Sequence, residues 1–334
     1  MRVFIATLGC KVNEVDSELY AQELRAHGAV VTGTLDDADA VIVNSCSVTN
    51  RAQAQSLQMA RRALRQRPGI PVYVTGCGAS LLSLTHKEAP PGVTIVAMQR
   101  RSDVACLVTG FAETAHVARQ WIEGEIRQPG ARNRVDIRIQ EGCDNMCTYC
   151  VVPFVRGSRL QSKPVDVAVE EVLGLASAGV KEVVLTGTEI GKYGEARDRL
   201  PVLLDAILGA LERSELPTRV RISSLNPDAI TDALVLQFSR HAALCPQLHL
   251  PLQSGSDAVL ARMRRPYVQH DLLDSVRRLR AVDGRFTITT DVIVGFPGES
   301  EEDFVATVDT VRMASFAKVH VFPYSARPFT PASR

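Results

Sequence analysis

No stretch of the chain approaches the roughly 18 consecutive apolar residues that a membrane-spanning helix needs, so the sequence does not read as a helical membrane protein. Charge of one sign is also lacking. Lys and Arg number 38 against 37 Asp and Glu, for a formal net charge of +1. The total therefore advertises no polyanionic partner, and any contact with nucleic acid has to rest on local basic clusters. Aromatic residues are scarce at 5% and outnumbered by Val, Ile and Leu, a composition that suits α/β layers better than a disordered or fibrous chain, and neither an internal repeat nor a low-complexity segment is present. The opening MRVFIATLGCKVNEVD carries one basic residue before an apolar stretch that Lys11 cuts short. It reads as a first β-strand, not a signal peptide, and implies a cytoplasmic protein whose thiols stay reduced. In that setting eight cysteines point to metal or catalysis before disulfides.

What is present is alternation. The 334 residues allow about two domains. Strand-like runs at Val3–Leu8, Ala40–Asn44 and Val72–Thr75 alternate with helical stretches near 13–27 and 52–66. This predicts an α/β, doubly wound parallel sheet over residues 1–125. A polar segment around Trp121, closed by Pro129-Gly130, reads as the connection. A second series of runs lies near 135–140, 182–186, 219–223, 248–250, 286–294 and 318–322, with helical patterns between them. Six strands and their helices predict a partial (β/α)6 barrel over residues 130–334.

Cys143, Cys147 and Cys150 form Cys-x3-Cys-x2-Cys directly after the first strand of the second series. Three thiolates so closely spaced can wrap one face of an iron–sulfur cube and leave one iron open. Structural zinc prefers four ligands, usually in two separated pairs. Tyr149 would lie beside a ligand of that open iron, or simply pack the loop. Cys10, Cys46 and Cys77 each fall just past the carboxyl end of a strand in the first series. In a parallel sheet those ends share one edge. Small buried cysteines are common in loops, but three in register favour a second three-thiol site. Cys106 and Cys245 lack this placement.

These residues resemble the methylthiotransferase family of radical S-adenosylmethionine (SAM) enzymes. The stretches that carry the resemblance are Leu8–Asn13 (LGCKVN), Asn44–Thr49 (NSCSVT), Thr75–Cys77, Gly142–Cys150 (GCDNMCTYC), Val152–Arg159, Ser223–Pro227, Leu250–Ser256 (LPLQSGS), Asp291–Glu299 (DVIVGFPGE) and Phe322–Ser325. They span essentially the whole chain. The resemblance implies that Cys143, Cys147 and Cys150 hold the [4Fe-4S] cluster that binds SAM, and that Cys10, Cys46 and Cys77 hold an auxiliary [4Fe-4S] cluster that handles sulfur. It implies one SAM used to methylate that sulfur and another cleaved to a 5′-deoxyadenosyl radical. A flavodoxin- or ferredoxin-type protein is the expected electron donor; the sulfur donor is left open. An unactivated aromatic C–H bond is beyond side-chain acid–base chemistry, so a cofactor has to supply the radical while the protein positions it. The two thiol trios are expected to open on one shared cavity.

Within the family, the Leu-Gly-Cys-Lys-Val-Asn opening resembles the subgroup that adds a methylthio group to carbon 2 of N6-threonylcarbamoyladenosine at position 37 of tRNA. The subgroup acting on isopentenyladenosine opens with Tyr-Gly-Cys-Gln-Met-Asn, and a third modifies a ribosomal-protein aspartate. Other radical SAM chemistry with structural N-terminal cysteines, and a non-catalytic metal-stabilised RNA-binding module, are the competing expectations. The family's small C-terminal RNA-gripping β-barrel is expected to be missing here, since the sequence ends at Arg334. Ala326 and Phe329 replace the usual Pro and Gly of the final turn motif. Weaker signals are Gly187, Thr188 and Glu189 after the second barrel strand, with Gln253 and Ser254, as SAM or substrate contacts. Basic groups at Arg61, Arg62, Arg65 and Arg67, at Arg156, Arg159 and Lys163, and at Arg262, Arg264 and Arg265 are candidate phosphate contacts; the Arg156, Arg159 and Lys163 group is preferred for RNA.

Overall fold

The computed structural model describes residues 1–111, 133–195 and 199–334. The chain forms two compact units. One comprises Met1–Trp121, Cys150–Ser158 and Ala326–Ser333; the other comprises Ile122–Tyr149, Arg159–Ser325 and Arg334. The junction, with the connection expected around Trp121 and Pro129-Gly130, lies outside the described residues.

The first unit is built on strands β1 (Arg2–Thr7), β2 (Val30–Thr32), β3 (Ala40–Ser45), β4 (Val72–Thr75) and β5 (Val93–Ile95), ordered β2-β1-β3-β4-β5 and parallel throughout. Every residue of β3 is buried, as a central strand covered on both faces should be. Alternate residues feed opposite layers. Val3 and Ile42 pack with Tyr20, Leu24 and Val104 on one face, while Val41, Val43, Val72 and Val74 pack with Ala60 and Ala63 on the other. Helices Lys11–Ala26 and Asn50–Gln66 follow β1 and β3; the second starts where the Thr49 hydroxyl accepts the Ala52 N–H at 3.1 Å. The three-residue edge strands β2 and β5 and the helix Gly76–Leu84 were not foreseen from the sequence.

The second unit contains β6 (Arg134–Glu141), β7 (Gln161–Ser162), β8 (Glu182–Gly187), β9 (Arg219–Ile222), β10 (Gln247–His249), β11 (Thr287–Val294) and β12 (Lys318–Pro323). Two parallel ladders, β6-β8-β9 and β10-β11-β12, are joined by bridges Val220–Leu244 and Ser224–His249. Six parallel strands thus run in chain order as a curled partial barrel, with the short β7 antiparallel on the outer edge of β6. Its core is an aliphatic cluster from β6, β8, β9, β10 and β11 and the helices Val165–Ser177, Arg199–Arg213 and Gln269–Val282. The α/β class and both architectures agree with the sequence pattern. No described helix is long and apolar enough to cross a membrane.

Candidate active site

In the first unit, strand register brings three thiols together. Thr7 pairs with Asn44, and Asn44 with Thr75, so β1, β3 and β4 end level. Cys10, Cys46 and Cys77 follow within three residues of those ends. Gly76 makes the last placement possible. Its φ is +87°, and a Cβ there would sit 2.3 Å from Asn44 Oδ1 and 2.6 Å from the Ser45 carbonyl oxygen. Asn13 is the hub: its amide donates to the carbonyls of Leu8 at 2.9 Å and Ser45 at 3.0 Å, and to Asn44 Oδ1 at 3.2 Å. Its Oδ1 lies 3.8 Å from Cys10 Sγ and 4.0 Å from Cys77 Sγ. Gly9 abuts Cys46, whose Sγ would be 3.1 Å from a Cβ at that position. Cys10 is exposed and the other two thiols are buried. Burial pushes Cys77 up to about 11 and raises Cys46 as well.

Two buried guanidinium groups border this trio. Arg156 Nε donates to Cys77 Sγ at 3.0 Å, and its Nη2 reaches Asp16 at 2.5 Å and Asn13 Oδ1 at 3.2 Å. Arg327 donates to Asn50 Oδ1 and, at 2.8 Å, to Gln53 Oε1. Its Nε is buried without a hydrogen-bond partner among the described residues. Desolvation lowers the Arg327 pKa, and the nearby Cys46 opposes that shift. The Val48 N–H points at Cys46 Sγ from 3.4 Å.

In the second unit, β6 runs into the cluster loop through Gly142, whose φ is +84° and which lies against the carbonyl of Arg159, leaving no room for a side chain. Cys147 is buried and Cys143 half-buried. Burial pushes Cys143 up to about 11. Arg265 Nη1 donates to Cys147 Sγ at 3.2 Å and lies 3.5 Å from the Tyr149 hydroxyl, while its Nε donates to the Tyr267 hydroxyl at 3.0 Å and its other amino group to Asn226 Oδ1. Burial opposes the charge on Arg265, but Tyr149, Tyr267 and Cys147 hold its pKa well above the ordinary value. Cys150, half-buried, begins the 150–158 stretch of the first unit. Three residues of chain keep its Cα within about 11 Å of that of Cys147.

Glu189 is the centre of the surrounding polar network. Its Oε2 accepts from Asn145 at 2.9 Å and Asn226 at 2.7 Å, and its N–H donates to Gln140 Oε1 at 2.7 Å. Burial pushes it up to about 7, with Arg265 pulling the other way. Gly187 packs where a Cβ would meet the Gln140 carbonyl at 2.5 Å, and Thr188 Oγ1 is buried with no partner among the described residues. Gln253 takes φ +63° and donates its N–H to Asp291 O at 2.8 Å. Ser254 is fully buried, its hydroxyl paired with Thr307 at 3.2 Å and accepting the Ser256 N–H at 3.2 Å, so it shapes the turn and presents nothing to a ligand.

The preferred RNA-contact group needs correction. Arg156 is buried against Asp16 and Cys77. Lys163 is buried too, with Nζ 2.5 Å from Glu171 Oε2 and both side chains at 0% exposure. A polyanion cannot reach either, and only Arg159 of the three is exposed. Conversely, Asn13, Asp16, Asn226 and Arg327 were not singled out as site residues. Asn13 and Asn226 lie within the motifs that carry the family resemblance, whereas Arg327 offers no signal beyond its place in the final turn. Among the described residues, no three His, Cys, Asp or Glu side chains are gathered tightly enough to hold a single metal ion. A cube needs a looser gathering, since each of its thiolates binds a different iron.

A model described as the radical SAM superfamily matches residues 137–311, and one described as uncharacterized protein family UPF0004 matches residues 2–98. The threonylcarbamoyladenosine tRNA methylthiotransferase MtaB of Thermotoga maritima is 36% identical over 342 residues, covering 99% of this chain and 76% of that protein. A tRNA-2-methylthio-N(6)-dimethylallyladenosine synthase of Wolinella succinogenes is 34% identical over 339 residues, covering 99% of this chain and 78% of that protein. The solved radical SAM methyltransferase TsrM from Kitasatospora setae, with cobalamin and a [4Fe-4S] cluster bound, shares the fold at a TM-score of 0.72 and 15% identity, over 99% of this chain and 77% of that one. The chain belongs to the radical SAM superfamily, whose members work with SAM and a [4Fe-4S] cluster, and within it to the methylthiotransferase family.

Proposed function

We propose that this enzyme is a tRNA methylthiotransferase that adds a methylthio group to carbon 2 of N6-threonylcarbamoyladenosine at position 37, using two [4Fe-4S] clusters. Cys143, Cys147 and Cys150 would hold the cluster that binds SAM, and Cys10, Cys46 and Cys77 the second. When bound, the first supplies the electron for reductive SAM cleavage and the second a site for sulfur. A flavodoxin- or ferredoxin-type protein would deliver that electron in the cytoplasm.

The observation that carries the two-cluster reading is the placement of Cys10 and Cys77 about Asn13, with Cys46 against Gly9 alongside, beside a buried arginine. Arg156 is matched by Asp16. Arg327, with neutral amide partners and an unmet Nε, adds buried positive charge beside Cys46. Three thiolates around a dipositive cube carry a net charge of about −1, which that guanidinium would balance. Neutral thiols, which burial favours, would release their protons on loading. At the first cluster Arg265, already aimed at Cys147, plays the corresponding part.

Threonylcarbamoyladenosine is supported by the LGCKVN opening and by the MtaB relative. The near-equal identity of the dimethylallyladenosine synthase keeps that base as the second reading, and mass spectrometry of tRNA nucleosides with and without the gene separates them. The cluster test is iron and sulfide analysis after anaerobic reconstitution. The wild type is expected to hold about eight irons and the Cys10/Cys46/Cys77→Ala variant about four. That variant should still cleave SAM but transfer no methylthio group. Four irons in the wild type, unchanged in the variant, would sink the two-cluster reading.

Glu189 is proposed to face the polar end of SAM. Deleting one charge-assisted hydrogen bond removes on the order of 1.5–3 kcal/mol. Glu189→Ala is therefore expected to raise the SAM dissociation constant at least about tenfold while leaving the iron content of the wild type. Unchanged SAM affinity by calorimetry would remove Glu189 from the site.

A further inference from the structure

Of the basic groups visible in the sequence, most are committed elsewhere. Arg156 and Lys163 are buried in ion pairs, Arg262 is tied to Asp303 at 3.3 Å and to the Gly298 carbonyl at 2.9 Å, and Arg265 belongs to the cluster-loop network. The helix Asn50–Gln66 differs. It contains Arg51, Arg61, Arg62 and Arg65 and no acidic residue, all four are exposed, and among the described residues none is in an ion pair. In a chain whose net charge is only +1, a seventeen-residue helix without a carboxylate is a local concentration of charge.

The charge is also ordered. Arg51, Gln55, Gln58, Arg62 and Arg65 follow the four-and-three spacing that places side chains on one helical stripe, about 21 Å long. Beside this stripe lies a groove of 510 Å³ whose lining joins Phe4 and Met59 to Gln55, Gln58, Arg62 and Arg65. The lining also includes Thr7 and Leu8, the latter two residues before Cys10 in the chain. A lining that combines apolar, amide and guanidinium groups suits a flat heterocycle joined to a phosphate. Bases pack on aromatic and apolar side chains, amides read their edges, and two arginines at i and i+3 can share one phosphate.

We propose that this stripe and groove bind the backbone and one base of the substrate RNA next to the modified nucleotide, so that the first unit grips tRNA beside its own thiol site. The inference rests on the tRNA methylthiotransferase reading. Its test is binding of unmodified tRNA to the reconstituted holoenzyme across a salt series, for wild type, Arg62→Glu/Arg65→Glu, and Arg213→Glu/Arg285→Glu, which puts the same charge reversal on exposed arginines of the second unit. The groove variant is expected to bind on the order of tenfold more weakly at about 0.15 M salt, with a log–log salt slope shallower by about one to two. Its iron content and its release of 5′-deoxyadenosine without tRNA should match the wild type, which separates lost RNA contact from misfolding. Wild-type affinity in the groove variant, or equal weakening in the control, overturns the proposal. Failure of the wild-type holoenzyme itself to bind tRNA would remove the substrate reading on which it stands.

Discussion

Cys147→Ser, reconstituted like the wild type, is expected to release 5′-deoxyadenosine from SAM more slowly by at least on the order of a thousandfold, because no side chain can substitute for the electron the cofactor supplies. The geometry adds a second reason. Arg265 is buried with Asn226, Tyr149 and Tyr267, its Nη1 donates to the Cys147 sulfur, and the Glu189 carboxyl is near enough to feel its charge. A serine hydroxyl is a poor ligand for iron, so the substitution would remove a ligand of the proposed cluster together with the sulfur that Arg265 Nη1 reaches. Cys245→Ala is the fitting control. Cys245 is equally buried, but its thiol lies 3.8 Å from Glu182 in the barrel wall, far in function from either trio. Loss of cluster absorbance and of 5′-deoxyadenosine in Cys147→Ser, with both kept in Cys245→Ala, is the expected pair of results. Wild-type SAM cleavage by Cys147→Ser would show that the three-cysteine loop does not hold the reactive cluster.

The parts of this design that were legible in the sequence are those fixed by local pattern. Ala40–Ser45 and Val72–Thr75 read as strands because a parallel strand buried on both faces needs an unbroken apolar run, and both are inward-packed. The three N-terminal thiols could be anticipated together because each follows such a strand, and parallel strands that start level end level. The short edge strands Val30–Thr32 and Val93–Ile95 escaped because three half-exposed residues leave no periodicity to detect. The helix Gly76–Leu84 escaped because it opens Gly-Cys-Gly, a turn signal by propensity. Tertiary packing overrides that signal: Gly76 and Gly78 are there because the neighbouring Ser45 and Cys46 leave no room for a side chain. Charge was the least legible. Arg156, Lys163 and Arg327 look like surface residues to any compositional rule, and their burial depends on Asp16, Glu171 and Asn50, which pattern reading has no means to pair with them.

The largest stability effect belongs to one of those misread charges. Lys163→Met is expected to destabilise the second unit by about 3–5 kcal/mol, since it leaves the carboxylate of Glu171 in a dry interior without the cation 2.5 Å away. That is a large share of the roughly 5–15 kcal/mol that holds a domain folded. Glu171→Leu, which removes the carboxylate that Lys163 Nζ reaches at 2.5 Å, should also destabilise this unit. The double variant, which fills the space with apolar side chains and buries no charge, is expected to lie within about 1–2 kcal/mol of the wild type. Urea unfolding of the wild type, the two single variants and the double variant measures this cycle; near-additive losses in the double would show that the pair is not electrostatically coupled. The consequence reaches the chemistry through the backbone. The Lys163 N–H donates to the Ile139 carbonyl at 2.8 Å and its own carbonyl accepts from the Tyr193 hydroxyl at 2.5 Å, which ties the segment after the cysteines to β6. Four residues earlier, the Arg159 carbonyl is the atom packed against Gly142 at the start of the cluster loop. Loosening Lys163 therefore loosens the frame that presents Cys143 and Cys147, and the single variants should lose iron to a chelator faster than the double variant does.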